Sequence, residues 1–330
     1  MGRPTISDLA KAAGVSVTTV SHTFSGRRHV DPETGARIRA LAEQMGYHPS
    51  SAARALRSGR TGIIALASSM PFAIAAGPSR LGFLMEIAAS AAMSALTRDL
   101  ALCLIPPHPG GHGHGSVGFD GVILVEPMRD DPLVAHFERL RIPIVSIGTV
   151  PGRPDIPAVD IRSHETALLL LDHLAEQGCR RIAALVGSRP RTSQIEAEAA
   201  YRAFTAGNPP ALLHLAEEQG EEIGYRETLR LLRDDPAIDG IFAAIDAFAS
   251  GAARAAHELG RPMPDRLRLA TRYDGLRAKL SQPPLTALDL HLPRVAEQAV
   301  HLLLDRIEGG GRTVKADLPD LVVRSSTARC

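Results

Sequence analysis

Three histidines within seven positions, His108, His112 and His114, are the most obvious candidates for metal ligands in this chain. Imidazole nitrogens bind zinc, and a protein zinc site usually has four ligands. No fourth ligand lies nearby in the sequence, and the surrounding stretch P-P-H-P-G-G-H-G-H-G is rich in Gly and Pro, which favours a loop. We therefore expect no metal site here.

The same stretch contains a glycine pattern like that of nucleotide-binding loops. Residues 113–118 read G-H-G-S-V-G and match G-x-G-x-x-G. Such a loop holds a pyrophosphate when it links a strand to the N-terminus of a helix, whereas here it precedes a strand. The chain has no Walker-type lysine loop, H-E-x-x-H or G-x-S-x-G motif either. We therefore expect no cofactor and no enzymatic activity.

Positive charge is concentrated at the N-terminus, although the net charge of the whole chain is only +1. Residues 1–60 contain nine Lys or Arg and four Asp or Glu, whereas residues 61–330 contain 28 Lys or Arg and 32 Asp or Glu. A basic terminal segment on a slightly acidic body is typical of a module that binds a polyanion. The chain is 45% hydrophobic and 22% charged, which is the balance of a globular protein rather than a disordered one.

The sequence favours a cytoplasmic protein that has no contact with a membrane. No apolar run is long enough to cross a bilayer, and the start M-G-R-P-T lacks the apolar stretch of a secretion signal. Cys103, Cys179 and Cys330 are far apart and form no C-x-x-C pair. Neither a disulfide framework nor a thiolate zinc site is therefore predicted.

Three short helices are predicted in the N-terminal segment. T-I-S-D has the form of a capping box and begins the first helix, and the turn G-V-S leads into a second helix over residues 17–24. V-D-P-E-T begins a third helix, with Asp as N-cap and Pro at the first helical position, and this helix ends at Gly46. Two short helices joined by such a turn form a helix-turn-helix, whose second helix enters a major groove of DNA.

The exposed face of the second helix carries Val17, Thr18 and His22, whereas Val20 faces the first helix. An alternative for Val17 is that it is an exposed residue that makes no contact with DNA. Its side chain cannot hydrogen-bond to a base and could only touch a thymine methyl group. Residues 50–60 form a short helix candidate without a core of its own. A helix of this length needs DNA or a partner chain to form.

The N-terminal sequence resembles that of the lactose/galactose/purine repressor (LacI/GalR) family. The resemblance is carried by T-I-S-D-L-A-K-A-A-G-V-S-V-T-T-V-S-H-T-F-S-G, V-D-P-E-T, G-Y-H-P and A-A-R-A-L-R. It implies that Val17, Thr18 and His22 contact base edges and that Leu56 of each subunit inserts into the minor groove. The further DNA-binding residues that it implies are Ser16, Thr19, Ser21 and Tyr47 at phosphates, together with Thr5, Ala53, Arg54 and Arg57.

From residue 61 onward, short apolar runs alternate with helical segments, as in parallel sheets covered by helices on both faces. We predict an all-α helix-turn-helix headpiece and an α/β body of two doubly wound lobes, like the periplasmic-binding-protein-like core of the family. The predicted strands cover 62–67, 100–105, 122–125, 144–147, 182–186, 240–244, 267–271 and 321–324. The predicted divisions are a headpiece (1–49), a hinge helix (50–60) and an effector-binding and dimerisation domain (61–330), whose first lobe covers about 61–159 plus 291–330 and whose second lobe covers about 160–290.

The family resemblance in the body is carried by D-G-V-I-L-V, D-G-I-F-A-A-I-D-A-F-A-S-G-A and R-Y-D-G. It places Arg191, Asp246 and Asp274 in an effector cleft between the lobes, with Arg80 and Phe83 as further candidates. A buried Arg binds hydroxyls or a carboxylate through two donors, and an Asp accepts from two sugar hydroxyls. A salt bridge at the surface or between the lobes is the alternative for the charged residues.

Two departures from the family affect the expected ligand. Ile245 stands where the family usually has Asn, and the Gly/His/Pro stretch after Ile105 replaces a helix by a loop. Arg80 and Arg191 also permit an anionic ligand. We predict a homodimeric repressor that binds a palindromic operator in double-stranded DNA and responds to a small effector, a carbohydrate or a small anionic metabolite. A solute-binding receptor without a role at DNA is the alternative.

Overall fold

The computed structural model describes residues 4–25, 28–47, 60–75, 82–105, 118–206 and 209–328. The chain divides into two compact units, Met1–Gly62 and Ile63–Cys330. Almost all of the predicted hinge helix, and all but the end of the predicted Gly/His/Pro loop, lie outside the described residues. Within the described residues, no helix is both long enough and apolar enough to span a membrane.

The first unit contains the three predicted helices, and local capping interactions set their ends. They are α1 (Ile6–Ala13), α2 (Val17–Ser25) and α3 (Pro32–Met45). The Thr5 side chain and Asp8 form the predicted capping box of α1, and Asp31 accepts the Thr34 N–H at 2.9 Å at the start of α3. Leu9, Val20 and Ile38, one from each helix, are fully buried against one another. The helix-turn-helix prediction is therefore confirmed.

The second unit is built from alternating strands and helices. Its strands among the described residues are β1 (Ile63–Ala67), β2 (Ala101–Leu104), β3 (Val122–Val125), β4 (Ile144–Ile147), β5 (Ala158–Asp160), β6 (Ile182–Gly187), β7 (Ala211–Leu215), β8 (Gly240–Ala243), β9 (Arg268–Thr271), β10 (Thr286–Asp289), β11 (Val314–Lys315) and β12 (Asp320–Val322). Its helices there are α4 (Phe72–Ala75), α5 (Phe83–Leu96), α6 (Pro132–Arg139), α7 (Ser163–Glu176), α8 (Thr192–Phe204), α9 (Gly220–Asp234), α10 (Asp246–Glu258), α11 (Leu276–Leu280) and α12 (Leu292–Ile307), with a 3₁₀ turn at Glu217–Gln219.

These strands form two sheets, one in each lobe. The first sheet has the order β11-β5-β4-β3-β1-β2 and is parallel throughout. The second has the order β12-β10-β9-β8-β6-β7 and is parallel except for β12. The strand order reverses at β1 in the first sheet and at β6 in the second. Doubly wound sheets bind ligands at the carboxyl ends of strands beside such reversals.

The C-terminal segment corrects the predicted division of the lobes. We predicted that all of residues 291–330 belong to the first lobe, but β12 pairs with β10 of the second sheet. The physical reason is a set of buried hydroxyl groups that need partners. The Ser326 hydroxyl donates to the Leu269 carbonyl at 2.6 Å and accepts the Thr286 N–H at 2.8 Å. These bonds hold the end of the chain on the second lobe, whereas α12 and β11 pack on the first lobe.

The described chain passes between the lobes three times, after β5, after β10 and after β11. Arg162 and His291, at the first two crossings, have φ values of 53° and 51°. This left-handed conformation is uncommon outside glycine. In both cases it turns the chain directly into the following helix.

Helices α9 and α10 of the second lobe pack with their backbones in close contact. A Cβ atom on Gly251 would lie 2.2 Å from the Glu221 carbonyl oxygen and 2.3 Å from the Tyr225 nitrogen. No side chain fits in that space, so glycine is required for the helices to approach this closely. The packing fixes the position of α10, whose first residue is Asp246.

We expect Gly251→Ala to lower the free energy of unfolding by about 1–3 kcal/mol, because overpacking forces the two helices apart. Chemical denaturation followed by circular dichroism measures this change. Gly35→Ala in α3 is the control, since a Cβ atom there would meet nothing closer than 3.4 Å, at the end of the Arg39 side chain. A control variant that loses as much stability as Gly251→Ala would contradict this explanation.

Candidate functional site

The predicted DNA-reading residues lie on one helix, α2. Val17 is 44% exposed, Thr18 is exposed, and His22 is half-buried. Val20, between them in sequence, is fully buried. The helical period therefore places the two positions near the start of α2 on its solvent side, with His22 one turn further along.

Hydroxyl groups surround the N-terminus of α2. The Ser16 hydroxyl accepts the Thr19 N–H at 3.1 Å, and the two hydroxyls lie 2.9 Å apart. The Tyr47 ring lies 6.0 Å from the Phe24 ring, which positions it beside the end of α2. Helix N-termini carry free N–H groups and a positive partial charge, which favour anions such as phosphate. The hydroxyl of Thr5 is already used as the cap of α1.

A candidate ligand site is a small cavity of about 50 Å³ between the two lobes of the second unit. The cavity lies at the carboxyl ends of the strands, as expected for doubly wound sheets. Its lining comprises Met70, Ile74, Phe83, Glu126, Arg191, Ser193, Gln194, Glu217, Ala244, Ile245, Asp246, Arg272 and Tyr273.

Arg191 is only 2% exposed, and its donors are used by the protein itself. Its guanidinium pairs with the Glu217 carboxylate at 3.1 Å within the second lobe. It also donates to the Glu126 carbonyl at 2.7 Å and to the Ser69 hydroxyl at 3.3 Å, both in the first lobe. Arg191 therefore lines the cavity and also joins the lobes across it.

Glu217, on the 3₁₀ turn, is fully buried and has an incomplete set of partners. Burial raises the pKa of this carboxyl group, and the pairing with Arg191 only partly offsets that effect. Among the described residues, its Oε1 atom has no hydrogen-bond partner. A buried acceptor without a partner is costly. The protein itself therefore leaves one acceptor of Glu217 unused.

Glu126 extends from the end of β3 towards the second lobe, and it is 3% exposed. Arg272 donates to its Oε1 at 2.9 Å, and the Ser193 hydroxyl donates to its Oε2 at 2.5 Å. Glu126 belongs to the first lobe, whereas Arg272 and Ser193 belong to the second. Both bonds therefore cross the cavity.

Asp246 starts α10 at the cavity wall and is paired with Arg277 at 3.2 Å. Burial raises the pKa of this carboxyl group, and Arg277 opposes the shift. Arg277 also donates to the Ala73 carbonyl of the first lobe at 2.8 Å. This hydrogen bond of Arg277 is thus another connection between the lobes.

An aromatic wall completes the site. Phe83 and Tyr273 meet edge to face, with ring centroids 5.5 Å apart. The Tyr273 hydroxyl is hydrogen-bonded to Glu86, and burial together with this bond raises the pKa of the phenol. Aromatic faces next to hydrogen-bonding groups suit ligands with both apolar and polar sides.

The structure brings together three of the five predicted effector residues, Phe83, Arg191 and Asp246. Asp274 does not line the cavity. Its N–H donates to the Leu288 carbonyl, and its carboxylate pairs with Arg324 at 2.5 Å on the C-terminal segment. The family resemblance at R-Y-D-G placed it in the cleft, but it is its neighbours Arg272 and Tyr273 that line the cavity. Arg80 lies outside the described residues, as do Ala53, Arg54, Leu56 and Arg57.

Several lining residues were not predicted from the sequence. Glu126 directly follows β3, and Arg272 directly follows β9. The rule that ligands bind at the carboxyl ends of parallel strands could have identified both. Glu217 has no comparable signal, because it lies on a turn after a strand that was not predicted.

Two family models match the chain. Residues 5–50 match "Bacterial regulatory proteins, lacI family", and residues 171–327 match "Periplasmic binding protein-like domain". The first match covers the helix-turn-helix, and the second covers most of the second lobe together with α12 and the C-terminal strands. Neither match supports the alternative of a solute receptor without a role at DNA.

Similar proteins align with nearly the whole chain. The HTH-type transcriptional regulator CelR of Thermobifida fusca is 28% identical, over 93% of each chain. The ribose operon repressor of Halalkalibacterium halodurans is 28% identical, over 98% of this chain and 97% of its own length.

Solved structures agree with this assignment. A transcriptional regulator CelR–cellobiose complex superposes with a TM-score of 0.71 at 26% identity, over 98% of this chain and 100% of its own. The lac repressor dimer bound to operator and the anti-inducer ONPF superposes with a TM-score of 0.82 at 21% identity, over 99% of this chain and 100% of its own. This similarity shows that the two proteins share a fold. With a matching headpiece, a matching body and relatives that align along their full length, the chain belongs to the LacI family of bacterial regulatory proteins and is a DNA-binding transcriptional regulator.

Proposed function

We propose that the protein is a homodimeric repressor, that it binds a palindromic operator, and that a carbohydrate bound between its lobes controls this binding. Support for the dimer and the operator comes from the lac repressor dimer bound to operator, which has the same fold. A two-fold dimer places two headpieces on two half-sites, which explains why operators of this kind are palindromic. Such a protein acts on DNA in the cytoplasm and needs no catalytic activity.

In this proposal Val17, Thr18 and His22 face base edges, while Ser16, Thr19, Ser21 and Tyr47 hold phosphates. The exposure of Val17 and Thr18 supports the first part, and the hydroxyl groups around the α2 N-terminus support the second. Thr5, next to the first turn of α1, remains a further candidate. The hinge residues Ala53, Arg54, Leu56 and Arg57 stay predictions from the sequence, with Leu56 expected to insert into the minor groove.

The observation that favours a carbohydrate effector is that the charges at the cavity are already paired. Arg191 pairs with Glu217, Asp246 with Arg277, and Glu126 with Arg272. A phosphorylated ligand would add a double negative charge to a site with no unpaired cation among its described residues. Hydroxyl groups instead both donate and accept hydrogen bonds, so a sugar can hydrogen-bond to groups that are already paired, such as Glu217. The aromatic wall and the CelR–cellobiose complex point in the same direction.

Control by the effector requires that it bind two arrangements of the lobes with different affinity. Cross-cavity contacts of Arg191, Glu126 and Arg277 make the distance between the lobes sensitive to whatever fills the cavity. An effector that alters this distance changes the relative position of the two subunits' hinge segments. Operator affinity and effector affinity are then linked reciprocally.

We expect Thr18→Ala to reduce affinity for the operator by about tenfold, since one lost base contact costs about 1–3 kcal/mol. Fluorescence anisotropy measures this with the palindromic site that the wild-type protein selects from random duplexes. Affinity for unrelated DNA should not change. Gln44→Ala on the exposed side of α3 is the control and should bind the operator as tightly as wild type. An equal loss on unrelated DNA would assign Thr18 to the phosphate backbone instead.

A neutral mono- or disaccharide should raise the melting temperature of the protein, because a ligand that binds the folded state stabilises it. A thermal-shift screen of neutral sugars, sugar acids, sugar phosphates and small carboxylates tests this. Asp246→Asn should remove most of the rise in melting temperature caused by the active sugar. Asp274 lies outside the cavity, so the active sugar should raise the melting temperature of Asp274→Asn, measured from that variant's own value without ligand, as much as it does for the wild type. A response to sugar phosphates alone would overturn the proposed effector class.

A further inference from the structure

One of the three ion pairs at the cavity differs from the others. Arg191 and Glu217 belong to the same lobe, and so do Asp246 and Arg277. The Arg272–Glu126 pair crosses from the second lobe to the first. When the lobes separate, the first two pairs can stay intact, but Arg272 loses its carboxylate partner.

The second lobe holds the Glu126 carboxylate in the way that a protein holds a bound acid. Arg272, 8% exposed, donates to one oxygen at 2.9 Å, and Ser193, 2% exposed, donates to the other at 2.5 Å. Gln194 orients Ser193, since its amide donates to the Ser193 hydroxyl at 3.2 Å while its oxygen accepts the Gly187 N–H at 2.7 Å. Ser193 is therefore positioned within the second lobe, independently of Glu126.

Glu126 itself is held in an unfavourable backbone conformation. Its φ of 50° lies in the left-handed region, which non-glycine residues rarely adopt. Residues persist there when the surrounding structure imposes it, often at ligand sites and switches. In this protein the conformation accompanies a carboxylate that reaches across the cavity to Arg272.

We propose that Arg272 and Ser193 form a carboxylate-binding site, which Glu126 fills from the opposite lobe as a tethered ligand. The Nε atom of Arg272 is buried and has no hydrogen-bond partner among the described residues, so Glu126 uses only part of the guanidinium fork. A free carboxylate can bind both Nε and Nη2, which is the stronger, bidentate geometry. A carboxylate on an effector can therefore displace Glu126.

This inference rests on the proposed function and extends its ligand class from neutral sugars to sugar acids. An effector that combines sugar hydroxyls with a carboxylate, a sugar acid, would satisfy both the paired groups of the cavity and the Arg272–Ser193 site. Glu126 would compete with it and would keep the lobes together when no effector is bound. If Arg272 and Ser193 form no such site, a free acid will not bind saturably to a variant that lacks Glu126, so saturable binding distinguishes this explanation from an ordinary salt bridge between the lobes.

The test uses the full-length protein without DNA or effector, and acetate as the probe. Glu126→Ala should lower the melting temperature, and sodium acetate should raise it again by about 3 °C at ten times its dissociation constant, compared with sodium chloride at equal ionic strength. The rise should saturate with acetate concentration. In the wild type, where Glu126 fills the site, the two salts should have the same effect.

Glu86→Ala is the matched control, because Glu86 is also a first-lobe carboxylate bound to a cavity residue, Tyr273, but it is exposed and pairs with no arginine among the described residues. Acetate should not rescue this variant. Equal effects of acetate on the wild type, Glu126→Ala and Glu86→Ala would overturn the proposal. Since the experiment contains neither DNA nor sugar, such a result would not contradict the proposed operator binding or the proposed binding of a neutral sugar.

A second variant decides the matter if Glu126→Ala does not fold. Glu126→Gln keeps the shape of the side chain but removes its charge, and should weaken the contact with Arg272. The Arg129 N–H, which donates to the Pro190 carbonyl across the lobes at 2.9 Å, reports closure through its rate of hydrogen exchange. We expect this amide to exchange at least several times faster in Glu126→Gln than in the wild type. An unchanged rate would show that Glu126 does not hold the lobes together.

Discussion

A guanidinium that is removed from water needs an opposite charge and hydrogen-bond acceptors, and this constraint organises the body of the protein. Arg191 finds its partners in three separate segments, the 3₁₀ turn with Glu217, the end of β3 at Glu126 and the loop with Ser69. These segments belong to both lobes. Glu217 pairs with the charge of Arg191 within one lobe, but the full set of its hydrogen bonds forms only when the lobes are close together.

The headpiece could be predicted closely because its signals are local. Capping residues, glycines in left-handed turns and helical spacing act within a few positions, so the sequence alone places Val20 inside and Val17 outside. The sheets were predicted less completely. β5 and β7 are short or only partly buried, and the hydroxyl network around Ser326 that draws the C-terminal strand to the second lobe depends on residues far apart in sequence.

The cavity was hardest to predict because it depends on the direction of single side chains. Asp274 and Arg272 are two positions apart, yet only Arg272 lines the cavity. Similar sequences at 26–28% identity determine the architecture, but not which groups meet in the cleft. Ile245, where a family asparagine was expected, is part of the lining here, and charged groups at Glu126 and Glu217 provide the polar contacts instead.

The three passages of the chain between the lobes mean that neither lobe is a continuous stretch of sequence. A fragment that ends after β5 would lack α12 and β11, which complete the first lobe, and a fragment without the C-terminus would lose β12 from the second. The lobes therefore cannot be exchanged between relatives by a single recombination event. A new ligand preference has to evolve by substitution within the cavity, while the hinge between the lobes is inherited whole.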